Sequence, residues 1–468
     1  MKIKKRILEQ YEQLKKSQPY LNGLVTLIDP SEQLEALEAK DKTLPLYGQG
    51  VVLKDNVSMK DVLMTGSSKI LDNYIAVYDA TITQKLVNAG AIILGKSTMD
   101  ELAMGGTGLT PSQGPTHNPY DLDRIAGGSS SGSAAIAGAN LVDFAIGSDT
   151  GDSVRKPAAY CGVVGVKPTY GRISRYGMIP YASSLDHVGY FTQTVSQSAQ
   201  LLEVLAGRDD QDMTSSYEKV DNYHDLTGDL KSKRIGILSN VMDTIDESLK
   251  APFNELIEQM KQQGAIITHK VMDEDLLETL FATYYVIANC EATANHANLD
   301  GIRFGVRHEG DTLSDTMRKS RGDGFGPLLK RRFVVGSYGL EDENQEEVFR
   351  KAQRVRRLIV EDLQAAMSDV DVLMVLAAPD VAPLIEDVLQ KKREGISLVA
   401  DNHMVLGNFS GFPSMSVPIA FVDGLPIGIN LTAHSFEEKL MFEIALGIEK
   451  LCNFNELRKE YPLEWLTK

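Results

Sequence analysis

Between residues 104 and 177 the chain is dense in glycine and serine, and this stretch sits inside a pattern of short β-rich runs alternating with helical ones. Glycine raises the entropy cost of ordering a backbone, so a regular helix or strand would avoid that density. Within a β/α pattern it predicts tight turns and close backbone approach, the conditions for turning backbone N–H groups toward a ligand. Around it, Gly50-Val51-Val52-Leu53 reads as a strand, Ala80 to Ala89 as a helix and Ala91-Ile92-Ile93-Leu94 as a second strand. Ser131 to Asn140 reads as a helix of small residues, and Leu141 to Ile146 as a strand. Alternation of this kind implies a layered α/β sheet.

The first 45 residues read as an N-terminal helical region. There Ile3, Ile7, Tyr11 and Leu14 share one face with lysines opposite, and Pro19 closes the helix. Residues 46–468 read as one domain, with an exposed polar loop near 209–225 and no further boundary. Beyond the loop come strands at 234–238, 265–268 and 371–376, long helical patterns around 274–299 and 342–367, two strands about the turn 422–426, and a closing helix from 435 to 451.

The 468 residues are 43% hydrophobic and 24% charged, ample for a large core and unlike a disordered or fibrous chain. A net charge of −16 makes the chain a poor gripper of phosphate backbones on its own. Its three cysteines are odd in number, far apart and form no CxxC, so neither a disulfide framework nor a cysteine metal site is expected. No apolar run reaches the ~18 residues of a membrane span. The basic start lacks the apolar core of a signal peptide. A soluble cytoplasmic protein is expected, with no membrane contact and no metal.

Two motif matches fail their context tests. Gly90 to Ser97 satisfies GxxxxGK[ST], but its four middle residues read as the strand itself rather than as a loop after one. Gly128 to Gly132 satisfies GxSxG, yet the polar run Asp121 to Ala126 stands where a nucleophile elbow needs an apolar strand. His187 and His224 lie downstream, so counting alone leaves a Ser–Asp–His order open there.

A third constellation has a chemical logic of its own: Lys54 at a strand end, Ser129 after paired glycines, and Ser153 after a turn. A serine hydroxyl is a weak nucleophile unless a base takes its proton. Neutral lysine can be that base if burial lowers its pKa from about 10.4, and a drop of about three units corresponds to roughly 4 kcal/mol of environment. Lys54 would then draw a proton through Ser129 from Ser153. Residue types alone favour a plainer account, a solvated lysine and two turn-forming serines.

These segments resemble the amidase signature family, whose catalytic set is a lysine, a serine preceded by a cis peptide, and a nucleophilic serine. The spacings of 75 and 24 residues agree, and Gly147 to Gly189 matches the family nearly residue for residue. The resemblance implies an amidase-signature fold, a large twisted mixed β-sheet flanked on both faces by α-helices. Met99 to Gly106, Ser183 to Asp186, Gly324 to Pro327 and Lys351 to Arg356 make the chain most similar to the glutamine-hydrolysing A subunits of tRNA-dependent amidotransferases. That likeness implies an acyl-enzyme glutaminase with an oxyanion hole at Thr150, Gly151 and Asp152, and glutamine held by Tyr284, Arg332 and Asp401. It implies a heterotrimer with B and C subunits. The B subunit would use ATP and magnesium to activate misacylated tRNA and hold most of the tRNA, and no cofactor is expected in this chain. Other readings are a stand-alone amidase on a small amide and a catalytically weakened scaffold.

The chain departs from the family pattern at four places. Asp152 replaces the glycine before the nucleophile, Lys156 a glutamine, Gly50 a proline before the lysine strand, and Leu376-Ala377-Ala378-Pro379 a Gly-Pro-Thr-Ala-Pro run. A carboxylate beside a developing oxyanion opposes it unless it turns away or pairs with a cation such as Arg155 or Lys156.

Overall fold

The computed structural model describes residues 2–390 and 397–467. Its centre is an eleven-stranded mixed sheet. The strands are β1 (Leu24–Leu27), β2 (Gly50–Lys54), β3 (Ile92–Ser97), β4 (Phe144–Asp149), β5 (Val164–Lys167), β6 (His187–Thr192), β7 (Arg234–Leu238), β8 (Ile266–Lys270), β9 (Val372–Leu376), β10 (Ser414–Val422) and β11 (Leu425–Ala433). They run in the order β1-β3-β2-β4-β6-β5-β10-β11-β9-β7-β8. β2 pairs in parallel with both β3 and β4, β7 in parallel with β8 and β9, and the remaining ladders are antiparallel.

Both faces of the sheet are covered, which is why its inner strands lack polar alternation. Val51, Leu53, Ile93, Phe144 and Ile146 join one core. Their neighbours Val52, Ile92, Leu94 and Ala145 join a second core on the opposite face. That split is the two-residue period of a strand buried on both sides. Among the described residues no helix is long and apolar enough to cross a membrane.

Three local expectations shift. The N-terminal helix runs from Lys2 to Leu21 with Pro19 inside its last turn, and buries Ile7, Leu14, Ser17 and Leu21. The strand expected at 141–146 is Phe144–Asp149 instead, because Leu141 still donates to the carbonyl of Ile136 as the preceding helix closes. Leu141 and Val142 are apolar because they pack into the second core, not because they lie in the sheet. Residues 209–225 carry no helix or strand, but buried Asp212, Ser215 and Tyr223 fasten them to the body.

Lys96 of the GxxxxGK[ST] match is buried in β3, its ammonium donating to the Val57 carbonyl at 2.6 Å and standing 3.5 Å from the Asp55 carboxylate. It is a strand residue and offers no phosphate cradle. Gly50 has its own explanation. Its N–H donates to the Asp143 carboxylate at 2.6 Å, a bond proline has no hydrogen to make, and Asp143 in turn pairs with Arg6 of the N-terminal helix.

Candidate active site

The parallel ladder sets the site. β2 and β4 end side by side, so Lys54 at the end of one and the turn after Asp149 at the end of the other share one edge of the sheet. Open α/β sheets bind ligands at such carboxyl ends. Ser129 arrives on the segment leading into the helix Ser131–Gly138, all of whose residues are buried. Small side chains permit that depth: a Cβ on Gly132 would stand 2.3 Å from the carbonyl oxygen of Gly23.

Lys54 is fully buried. Its Nζ donates to Ser129 Oγ at 2.8 Å, to Ser130 Oγ and Ser148 Oγ at 2.9 Å, and to the Ser148 carbonyl at 3.3 Å. Burial lowers its pKa from 10.5 to about 7, against the pull of Asp100, Asp149 and Asp186. The Gly128–Ser129 peptide is cis. The Ser129 carbonyl accepts from the N–H of Asp100 at 3.0 Å, and the Asp100 carboxylate gathers the N–H groups of Thr107, Gly108 and Thr110. The first link of the expected relay is therefore made.

The second link is open. Ser153 Oγ forms no hydrogen bond with Ser129 or with any other described residue, although the Ser130 N–H donates to the Ser153 carbonyl at 3.2 Å and holds the two segments together. Among the described residues the backbone N–H groups of Thr150, Gly151, Asp152 and Ser153 have no acceptor either, so the turn that carries the hydroxyl has four successive donors without a protein partner. The turn is held from behind. Arg155 donates to Asp149 through Nε at 3.1 Å and Nη2 at 2.9 Å, to the Gly151 carbonyl at 2.7 Å and to Asn408 Oδ1 at 2.7 Å. Asp186 accepts from the Thr150 hydroxyl at 2.7 Å; burial pushes its carboxyl up to about 6 in spite of that bond.

Arg155 is thus committed to Asp149, and Asp152 finds its cation in Lys156 at 2.7 Å. The same Lys156 ammonium reaches Asp401, standing 2.6 Å from its carbonyl oxygen and 3.2 Å from Oδ1. Tyr284 lies over Gly151, where a Cβ would stand 3.1 Å from the ring. Tyr284 hydrogen-bonds Tyr181, whose hydroxyl accepts from Arg332 at 2.6 Å. Tyr284, Arg332 and Asp401 thus reach the same turn, Arg332 through the two tyrosines and Asp401 through Lys156.

This lysine, cis-serine and serine arrangement has relatives. A family model described as Amidase matches residues 6–442. The chain belongs to the amidase family. One relative, a protein of Sulfurihydrogenibium sp. (strain YO3AOP1) named as the A subunit of glutamyl-tRNA(Gln) amidotransferase, is 38% identical over 458 residues, 95% of this chain and 92% of its own. Another of that name from Methanosarcina mazei is 38% identical over 96% of this chain and 93% of its own. The crystal structure of the A subunit of glutamyl-tRNA(Gln) amidotransferase from Thermotoga maritima superposes with a TM-score of 0.79 at 33% identity, covering 95% of this chain and 91% of that one. A peptide amidase from Stenotrophomonas maltophilia superposes at 0.82 with 25% identity, covering 96% and 94%.

Two of this amidase's departures meet in one ion pair, because Asp152 and Lys156 lie one helical turn apart. The residues that reading the sequence missed are those working through a neighbour. Ser148 and Ser130 share the lysine's protons, and Tyr181 sits between Arg332 and Tyr284. Ser148 and Ser130 lie inside the glycine- and serine-rich stretch, which pointed to the neighbourhood without separating one serine from another.

Proposed function

We propose that this chain is the glutamine-hydrolysing A subunit of a tRNA-dependent amidotransferase. The supporting observation is a fully buried amine 2.8 Å from the hydroxyl of a serine, in a chain 38% identical to proteins bearing that name. Neutral Lys54 takes the proton of Ser129, which takes that of Ser153. The Ser153 oxygen bonds to the side-chain amide carbon of glutamine, and the carbonyl electrons move onto oxygen toward the N–H groups of Thr150, Gly151 and Asp152. Each well-aimed donor of this kind is worth ~3 kcal/mol. The carbon–nitrogen bond then breaks, the relay returns its proton to the leaving nitrogen as ammonia, and water repeats the cycle on the acyl-serine to release glutamate. Arg332, with Tyr284, receives the α-carboxylate, and Asp401 the α-ammonium.

In this reading the ammonia serves a B subunit that binds tRNA and activates its misacylated glutamate or aspartate with ATP and magnesium, in a cytoplasmic heterotrimer completed by a C subunit. The test is ammonia release from glutamine, acetamide and benzamide by the chain alone and with its partner subunits. Glutamine is expected to be the preferred substrate in the assembly, and a preference for simple amides would overturn the assignment.

The amine's pKa gives a second expectation. Only the neutral form accepts a proton, so kcat/KM for glutamine should rise as pH passes about 7 and level above it. A profile flat from pH 6 to 8 would contradict the role given to Lys54.

A further inference from the structure

The ammonium of Lys156 has three N–H donors and three acceptors: Asp152 Oδ2 at 2.7 Å, Asp401 Oδ1 at 3.2 Å and the Asp401 carbonyl at 2.6 Å. These acceptors lie on different parts of the fold. Asp152 belongs to the turn that carries Ser153, Lys156 to the helix Arg155–Tyr160, and Asp401 to the helix Leu398–Asn402. Lys156 is buried, and burial works against its charge, but the two carboxylates outweigh that and hold its pKa above the ordinary lysine value. Burial pushes the Asp152 carboxyl up, and Lys156 opposes that shift. Lys156 thus stands as one cation between two carboxylates.

We propose that Lys156 is a positioning residue that cancels the charge of Asp152 beside the oxyanion site and ties the nucleophile's turn to the carboxylate receiving glutamine's α-ammonium. The proposal rests on the glutamine reading of the site. Its consequence is that the two halves of the ion pair are defective singly for opposite reasons. Without Asp152, the Lys156 ammonium has only Asp401 and competes there with the substrate's ammonium. Without Lys156, Asp152 is left as an unpaired carboxylate next to the N–H that must face the oxyanion, and Asp401 no longer shares its carboxylate with the lysine.

The experiment is a cycle of Asp152→Gly, Lys156→Gln and the double variant in the assembled complex, with glutamine and with glutaramate, which lacks the α-ammonium. Asp152→Gly is expected to raise KM about tenfold for glutamine and little for glutaramate. Lys156→Gln is expected to lower kcat about a hundredfold for both. The double variant should return to within about threefold of the parent on each count. Single effects that simply multiply in the double variant, or an Asp152→Gly defect equal for the two substrates, would overturn the proposal. A readout independent of glutamine is the rate at which phenylmethanesulfonyl fluoride labels Ser153, followed by intact mass. Lys156→Gln should slow it and the double variant restore it. If no protein of the set hydrolyses glutamine while labelling keeps this order, the substrate assignment fails and the bridge stands. If labelling is equal in all four, or absent from the parent, the bridge fails. Thermal unfolding of each variant separates a misfolded protein from a mispositioned loop, and Lys156→Arg should retain partial function where a purely steric role would lose it.

Discussion

Lys54→Arg is expected to reduce glutamine hydrolysis by about 10⁴-fold, as much as Ser153→Ala, while leaving the charge and much of the reach of the side chain in place. The comparison separates two roles for a buried cation. As a proton acceptor the side chain must lose a proton near neutral pH, which the lysine does at about 7 and a guanidinium cannot do. As a fixed positive charge that orients Ser129 and Ser148, arginine would serve nearly as well. Lys54→Met adds the complementary case, removing both proton and charge. Acyl-enzyme formation, measured as Ser153 labelling by a glutamine-derived electrophile, should be lost in Lys54→Arg and Lys54→Met alike. Combining either with Ser153→Ala should cost no more than the worse single change, since the groups act as one unit. An arginine variant within tenfold of the parent would remove the general-base assignment and leave Lys54 an orienting charge.

The sheet and the nucleophile's surroundings were legible in the sequence for a simple reason. Strands buried on both faces read as apolar runs, and Gly50 to Leu53 and Ala91 to Leu94 needed only that signal. The strand after the small-residue helix was displaced by three residues because Leu141 and Val142 are apolar for another cause, packing against the second core, and hydropathy does not distinguish the two. The fate of Asp152 was legible only as a pair of alternatives. Arg155 and Lys156 lie two and three residues after the nucleophile, and which of them meets Asp152 depends on Asp149, Asn408 and the Met404 carbonyl claiming the guanidinium first. Contacts across some 250 residues of chain carry no local pattern. Arg332 and Asp401, ordinary charges by sequence, likewise acquire meaning only from the turn they meet.

That prior claim on Arg155 supports the largest expected loss of stability. Arg155 and Asp149 are both fully buried, and the carboxylate also accepts from the Val154 N–H at 2.9 Å and Asn408 Nδ2 at 3.0 Å. Burial opposes the charge on Asp149, but Arg155, Lys167 and the Val154 N–H hold its carboxyl well below the usual range, so it is ionised throughout neutral pH. Arg155→Met leaves that charge without its cation, and breaking one side of a buried pair costs about 3–5 kcal/mol. The sign of the pH dependence checks the cause. In the parent, the stability contributed by Asp149 is present above its unfolded pKa of about 3.9 and is lost as pH falls through the lower folded value. In Arg155→Met, only Lys167 and the remaining hydrogen bonds oppose burial, so the folded pKa is expected to rise above the unfolded one, and the penalty then grows with pH as the unfolded chain ionises and the folded chain resists. The gap in denaturant midpoint between parent and variant should therefore be wider at pH 8 than at pH 5. Asp149→Asn combined with Arg155→Met should recover part of it by removing the orphaned charge. A gap that is equal at both pH values and unrelieved in the double variant would mean that lost packing, and not the uncompensated carboxylate, makes Arg155 necessary to the turn.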